Sequence, residues 1–214
     1  QVYQTDRVLS GSLQGILGMS NRYSQVIEEG YPVGTFYGPH CEGIVDGKFV
    51  LANDGEDEIL GNAQPKLTMG LSFNFTYKDF DLGISGYGMY GQKVLNVAGM
   101  ERGYTAHMPN YNITTAFAES GISNENMPVY SDYWLENGSF LKLDNVTLGY
   151  QFDTEKMPGI NNLRVYITGQ NLFTITKYTG IDPEVSLSGL APGIDNRNYY
   201  PKTRSFLLGV NISF

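Results

Sequence analysis

Between Lys66 and Tyr77 the side chains change character at every step. Leu67, Met69, Leu71, Phe73, Phe75 and Tyr77 share one parity; Thr68, Gly70, Ser72, Asn74 and Thr76 share the other. A period of two sends the two sets to opposite faces of an extended chain, so this stretch predicts a strand with one wholly apolar face. The split recurs at Phe206, Leu208, Val210, Ile212 and Phe214 against Leu207, Gly209, Asn211 and Ser213. Val146, Leu148, Tyr150 and Phe152 stand opposite Asn145, Thr147, Gly149 and Gln151, and Leu163, Val165 and Ile167 opposite Arg164, Tyr166, Thr168 and Gln170. A weaker fifth strand runs from Phe80 through Leu82 and Ile84 to about Tyr90.

A soluble β-sandwich, here a carbohydrate-binding module, is the alternative source of such alternation. It predicts Lys and Glu on the outer faces, whereas the polar parity here is mostly Gly, Ser, Thr, Asn and Gln. The strands are also long, about 10–12 residues against the usual ~5–6, as tilted membrane strands require. The fold class predicted is therefore all-β: strands of a large antiparallel transmembrane β-barrel with long external loops.

The connections agree with it. If the strand ending at Phe214 descends, 162–175 ascends, 140–152 descends and 80–90 ascends. Lys78-Asp79 and Asp153–Asn161 are then short periplasmic turns, while 91–139 and 176–202 are long external loops, the asymmetry expected of outer-membrane barrels. Aromatic residues fall near the strand ends, with Tyr77, Phe80, Phe152 and Phe214 at one interface and Tyr90, Phe140, Phe173 and Phe206 at the other. One strand within about Leu9–Ile27, ascending ahead of an external segment 31–65, completes the expectation.

Composition narrows the function. The chain carries 26 Gly and 16 Tyr, only 17% charged residues and a net charge of −8, which argues against a nucleic-acid partner because phosphate binding needs clustered Lys and Arg. Cys41 is the single cysteine, so an internal disulfide or thiolate cluster is excluded. No apolar run approaches the ~20 residues of a membrane helix.

Five stretches in order resemble the SusC/RagA-type TonB-dependent outer-membrane receptors of Bacteroidetes: GTFYG at Gly34–Gly38 followed by Gly43-Ile44, GNAQPK at Gly61–Lys66, NGSFLKLDNVTLGY at Asn137–Tyr150, VYITGQNLFTITKYTGIDPE at Val165–Glu184, and YPKTRSFLLGVNISF at Tyr200–Phe214. The resemblance implies that residues 1–214 are the C-terminal portion of a receptor barrel in the bacterial outer membrane, with the C-terminus in the periplasm. The plug domain, the N-terminal strands and the segment that meets TonB would lie in a remainder outside this chain. It further implies uptake of a glycan or oligopeptide with TonB-derived energy, a SusD-like surface lipoprotein as lid, and no catalytic role. Phe206, Leu208, Val210, Ile212 and Phe214 resemble the terminal signal read by the barrel-assembly machinery through its unpaired edge.

Asp46, Asp54, Glu56, Asp57 and Glu58 give a patch with the charge of a calcium loop. LANDGEDEIL lacks the regular oxygen spacing calcium needs, so calcium at Asp54, Asp57 and Glu58 is disfavoured, and no cofactor or metal is expected. His40 and His107 have no ligand partner at a recognisable spacing, and Asp182 with Glu184 reads as a turn. Ligand contacts are expected on the long loops, from Tyr133, Trp134, Tyr178, Asp195, Asn196, Arg197, Tyr199 and Tyr200, since aromatic faces beside amides and carboxylates suit sugars. The same residues could instead pack loop on loop or against a lid protein. Deleting Phe214 is expected to lower the amount of assembled protein in the outer-membrane fraction, measured by immunoblot of sorted membranes; unchanged assembly would remove the signal assignment.

Overall fold

A computed structural model describes residues 7–16, 18–103, 112–113, 120–122, 129–196, 200 and 202–214. In chain order its strands are β1 (Arg7–Ser12), β2 (Tyr23–Glu28), β3 (Thr35–Pro39), β4 (Cys41–Val45), β5 (Lys48–Leu51), β6 (Asp57–Asn62), β7 (Leu67–Tyr77), β8 (Phe80–Tyr90), β9 (Lys93–Asn96), β10 (Leu135–Asn137), β11 (Phe140–Phe152), β12 (Asn162–Thr176), β13 (Ile194–Asp195) and β14 (Ser205–Ser213), with one short helix, α1 (Val97–Arg102), before β10. The chain divides into two compact units. One comprises Leu67–Tyr90, Phe140–Thr176 and Pro201–Phe214; the other comprises Gln1–Lys66, Gly91–Ser139 and Lys177–Tyr200.

The first unit is a single antiparallel sheet in the order β14-β12-β11-β8-β7. Residues paired across an antiparallel ladder share a face, so the register settles the facing. Leu71↔Gly86, Phe73↔Ile84, Phe75↔Leu82 and Tyr77↔Phe80 join β7 to β8, and Leu82↔Leu148 with Ile84↔Val146 continue the face onto β11. Leu148↔Ile167 and Tyr150↔Val165 carry it to β12, and Ile167↔Leu208 with Val165↔Val210 to β14. One apolar face therefore spans all five strands. Its side chains are exposed: Phe73 is 62% accessible, Phe75 65% and Leu208 77%.

The opposite face carries Ser72, Asn74, Thr147, Thr168, Gln170 and Asn211, with Met89, Phe140 and Leu207 interspersed. Lys78, at φ 52°, makes the two-residue β7–β8 turn. The Asp153–Asn161 link closes with a 2.7 Å bond from the Asn161 amide to the Ser213 carbonyl.

Phe140 departs from expectation. It pairs with Met89 and Thr176, lies on the polar face and is 6% exposed against Tyr87, 6.0 Å between ring centres. The ladder shifts between Leu143 and Asn145, a bulge at Asp144. One extra residue reverses the parity of everything before it, so Leu141 and Leu143 take the apolar face and Phe140 leaves it.

Glycine on the polar face makes room for side chains from neighbouring strands. Asp81 of β8 and Arg164 of β12 form a two-bond ion pair, Nε to Oδ1 at 2.8 Å and Nη2 to Oδ2 at 2.6 Å. The pair bridges over β11 at Gly149, where any Cβ would meet both side chains. The Tyr166 ring occupies the corresponding space over Gly209.

The second unit corrects the reading of the first 65 residues. Instead of one wall strand within Leu9–Ile27, β1 and β2 form a hairpin in a four-stranded sheet ordered β1-β2-β3-β6. Between β1 and β2 the glycines at 15 and 18 take φ of 94° and 81°, turning the chain where a long strand would have to run straight. Two smaller sheets, β10-β9-β13 and β4-β5, complete the unit.

Its core gathers Phe36 from the first segment and Leu95, Met100, Tyr130, Trp134 and Leu135 from 91–139, with Ile194 of the third segment packed against it. Each large apolar side chain withdrawn from water contributes roughly 1.5–3 kcal/mol, which explains why these segments fold together rather than trail as loops. In the GTFYG stretch, Phe36 is fully buried and Gly38 lies under the Tyr130 ring, where a Cβ would collide. The Tyr130 hydroxyl donates to the Ser24 carbonyl at 2.9 Å.

The facing assignment predicts an asymmetry between neighbouring residues of β7. Leu71→Arg should cost about 2–4 kcal/mol near a bilayer midplane, and Ser72→Arg far less; unfolding titrations in lipid measure both. Equal costs would refute the assignment.

Candidate functional site

The connecting segments converge on a polar cluster around β9, β10 and β13. β13 pairs parallel with β9, Ile194 to Leu95 and Asp195 to Asn96, which draws Asp195 into full burial. The Tyr178 hydroxyl donates to Asp195 Oδ2 at 2.5 Å, closing the segment between them into a strap. Next to this bond, Glu136 accepts from Asn96 Nδ2 at 2.8 Å, from the Thr179 hydroxyl at 2.6 Å and from the Thr179 amide at 2.7 Å. Asn96 also caps α1, its Oδ1 accepting the Gly99 amide at 2.6 Å. Burial, first, pushes the Asp195 carboxyl above its ordinary range, and the nearby carboxylates of Asp182 and Glu136 push the same way; Tyr178 and Arg102 oppose them. Burial likewise raises the Tyr178 hydroxyl, reinforced by its bond to Asp195.

The expected ligand-contact residues therefore separate. Tyr178 and Asp195 are bonded to each other and buried. Trp134 is 1% exposed, its indole N–H held by the Val129 carbonyl at 2.9 Å and its ring by Phe49 and Tyr133. Tyr133, Asn196 and Tyr200 reach the surface, Tyr200 at 79% exposure. Arg197 and Tyr199 lie outside the described residues.

The Asp182–Glu184 turn has the Glu184 amide on Asp182 Oδ1 at 2.9 Å. In the acidic patch, Asp57 is ion-paired with Arg22, and Asp54 sits in a tight turn at φ 53°. Among the described residues no three His, Cys, Asp or Glu side chains are placed to hold a metal ion.

A second cluster escaped the sequence because its members are 92 residues apart. Asp132 accepts His40 Nδ1 at 2.5 Å on one oxygen and the Cys41 amide at 2.7 Å on the other. This fastens the base of the β4–β5 hairpin, whose Phe49 packs edge-on against Tyr133 at 5.5 Å. Asp132 holds the His40 imidazole above its usual value. Burial pushes the Cys41 thiol up, so it is not a poised thiolate nucleophile. His107 lies outside the described residues.

On the sheet unit, the polar face holds an open depression of about 420 Å³ lined by Ser72, Asn74, Asp81, Asn145, Thr147 and Arg164 among others. These are hydrogen-bonding groups without a nucleophile–base pair, suited to polar solutes or polar protein surface.

No protein-family model matches the chain. It is 35% identical over 205 residues to the TonB-dependent receptor SusC of Bacteroides thetaiotaomicron, covering 90% of this chain and 19% of that protein. It is 27% identical over 235 residues to TonB-dependent receptor P3 of Formosa agariphila, covering 90% and 23%. A solved structure of the RagAB peptide transporter superposes on the whole chain with a TM-score of 0.78 at 24% identity, the match covering 25% of its chain. The RagAB peptide importer in its open-open state gives 0.71 at 23% identity, again over the whole chain. The chain thus shares the fold of a stretch of these structures and spans about a fifth to a quarter of its relatives' length.

The His40 clasp predicts a pH effect. A histidine whose folded value is raised contributes stability that is fully present below its unfolded value and is lost as pH rises through the folded one. Asp132→Asn should therefore lower the His40 titration midpoint followed by imidazole NMR; an unmoved midpoint would deny the ion pair.

Proposed function

We propose that this chain, a relative of the TonB-dependent receptors over nine-tenths of its length, supplies barrel wall and external body to an outer-membrane nutrient importer. The observation that carries the reading is the unbroken apolar face of the five-stranded sheet, whose side chains are exposed rather than covered. Such a face is stable against hydrocarbon and costly against water. A soluble carbohydrate-binding sandwich would need it buried.

In this reading residues 1–214 form the C-terminal portion of the barrel. The plug, the remaining strands and the TonB-contacting segment belong to sequence outside the chain, and the short turns and the C-terminus face the periplasm. The long connecting segments then face outward and meet the cargo, a glycan or an oligopeptide, with a SusD-like lipoprotein as lid. Exposed Tyr133, Asn196 and Tyr200, together with Arg197 and Tyr199, are the ligand-contact candidates. Trp134, Tyr178 and Asp195 act beneath them by fixing loop shape. Neither catalysis nor a metal is part of the mechanism; energy enters through TonB.

Uptake of labelled oligopeptides and oligosaccharides by cells that depend on the full-length receptor tests this. Transport is expected to vanish when TonB is deleted while the receptor stays in the outer membrane. It should fall several-fold in a Tyr133→Ala, Tyr200→Ala double variant assembled at the normal level. Uptake that persists without TonB would identify a passive pore instead.

A further inference from the structure

Asp195 is the most buried carboxylate among the described residues of the second unit. One of its oxygens receives the Tyr178 hydroxyl at 2.5 Å. The other, Oδ1, is buried with no hydrogen-bond donor among the described residues. Burying an ionised carboxylate with a lone pair unmatched is costly, whereas the protonated acid carries less of that penalty. The surroundings add to the cost. Asn96, paired with Asp195 along the backbone, and Thr179, next to Tyr178, both bond to Glu136, which places a second carboxylate beside the pair. Asp182, on the strap itself, is buried as well. Arg102 of α1 is the cation that opposes these acids.

The strap that Asp195 anchors is held at its start by Thr179, whose amide and hydroxyl donate to Glu136, and by the packing of Tyr178 and Val185 with Val94; its Asp195 end is fastened by short elements. β13 is two residues long. The Leu95 amide donates to the Gly193 carbonyl at 2.9 Å, and the Gly193 amide to the Ser186 carbonyl at 2.8 Å. The Gln25 side chain donates to the Pro192 carbonyl at 2.6 Å.

We propose that residues 177–196 form a proton-operated latch, closed while the Asp195 carboxyl carries its proton under the Tyr178 hydroxyl and loosened when that carboxyl ionises between Glu136 and Asp182. The direction follows from linkage. The closed strap holds the proton more tightly than the open one, so closure is fully favoured below the ordinary carboxylate value. That advantage drains away as pH rises from there to the raised closed-state value. A loosened strap would present Asn196 and Tyr200 in a changed arrangement, making the outward surface pH-dependent whatever the cargo.

Hydrogen exchange on the full-length receptor in detergent, corrected for intrinsic rates, tests the latch without using transport as its readout. Peptides from the strap should lose several-fold in protection between about pH 4 and about pH 8. Peptides from β2 and β3 should show no such step. Asp195→Asn keeps an acceptor for Tyr178 without the charge, and should hold the strap protected across the range. Tyr178→Phe removes the donor and should lower protection even in acid. A strap equally protected at both ends of the range in the unaltered receptor overturns the proposal. So does an Asp195→Asn profile that matches the unaltered one, and so does a Tyr178→Phe strap that keeps full protection.

Discussion

Everything in the sheet unit depends on where the apolar face of β7, β8, β11, β12 and β14 is placed. In water that face would leave rings such as Phe73 and Phe75 more than 60% exposed. In hydrocarbon the same exposure is favourable, provided every backbone polar group is paired within the sheet. Antiparallel pairing meets that demand for β8, β11 and β12. For β7 and β14, whose outer edges have no partner among the described residues, further strands would meet it.

The second unit is built on the opposite rule. Its segments bury Trp134, Phe36, Leu95 and Met100 to 1% or less, so they pack around a core of their own. Their shape is fixed by a few long-range polar bonds: Asp132 to the base of β4, Glu136 to Thr179 and Asn96, and Tyr178 to Asp195. The chain passes between the two units near Leu67, Tyr90, Phe140 and Thr176, where strands of the sheet begin or end.

The wall was legible because its signal is local: a period of two over 67–77 needs only neighbouring residues to be read. The ends of β7, β8 and β11 fall where alternation and turn residues placed them. Phe140 was misplaced because a bulge at Asp144 reverses parity without leaving a compositional mark. The single strand expected within Leu9–Ile27 is instead a hairpin, because strands of four to six residues are too short for alternation to rise above chance. At the site, exposure of Tyr200 and the Asp182 turn could be anticipated locally. The buried Tyr178–Asp195 bond and the His40–Asp132 clasp could not, since both are made by tertiary packing of segments 17 and 92 residues apart.

The central claim is that one face of this sheet meets lipid and the other water. Single cysteines at Leu71→Cys and Ser72→Cys, each in a full-length receptor carrying Cys41→Ser, can be labelled with an environment-sensitive fluorophore. Lipid-borne and aqueous quenchers are then compared in proteoliposomes. The account predicts that position 71 is quenched from the lipid and position 72 from the water. Quenching of both positions from water alone would contradict it.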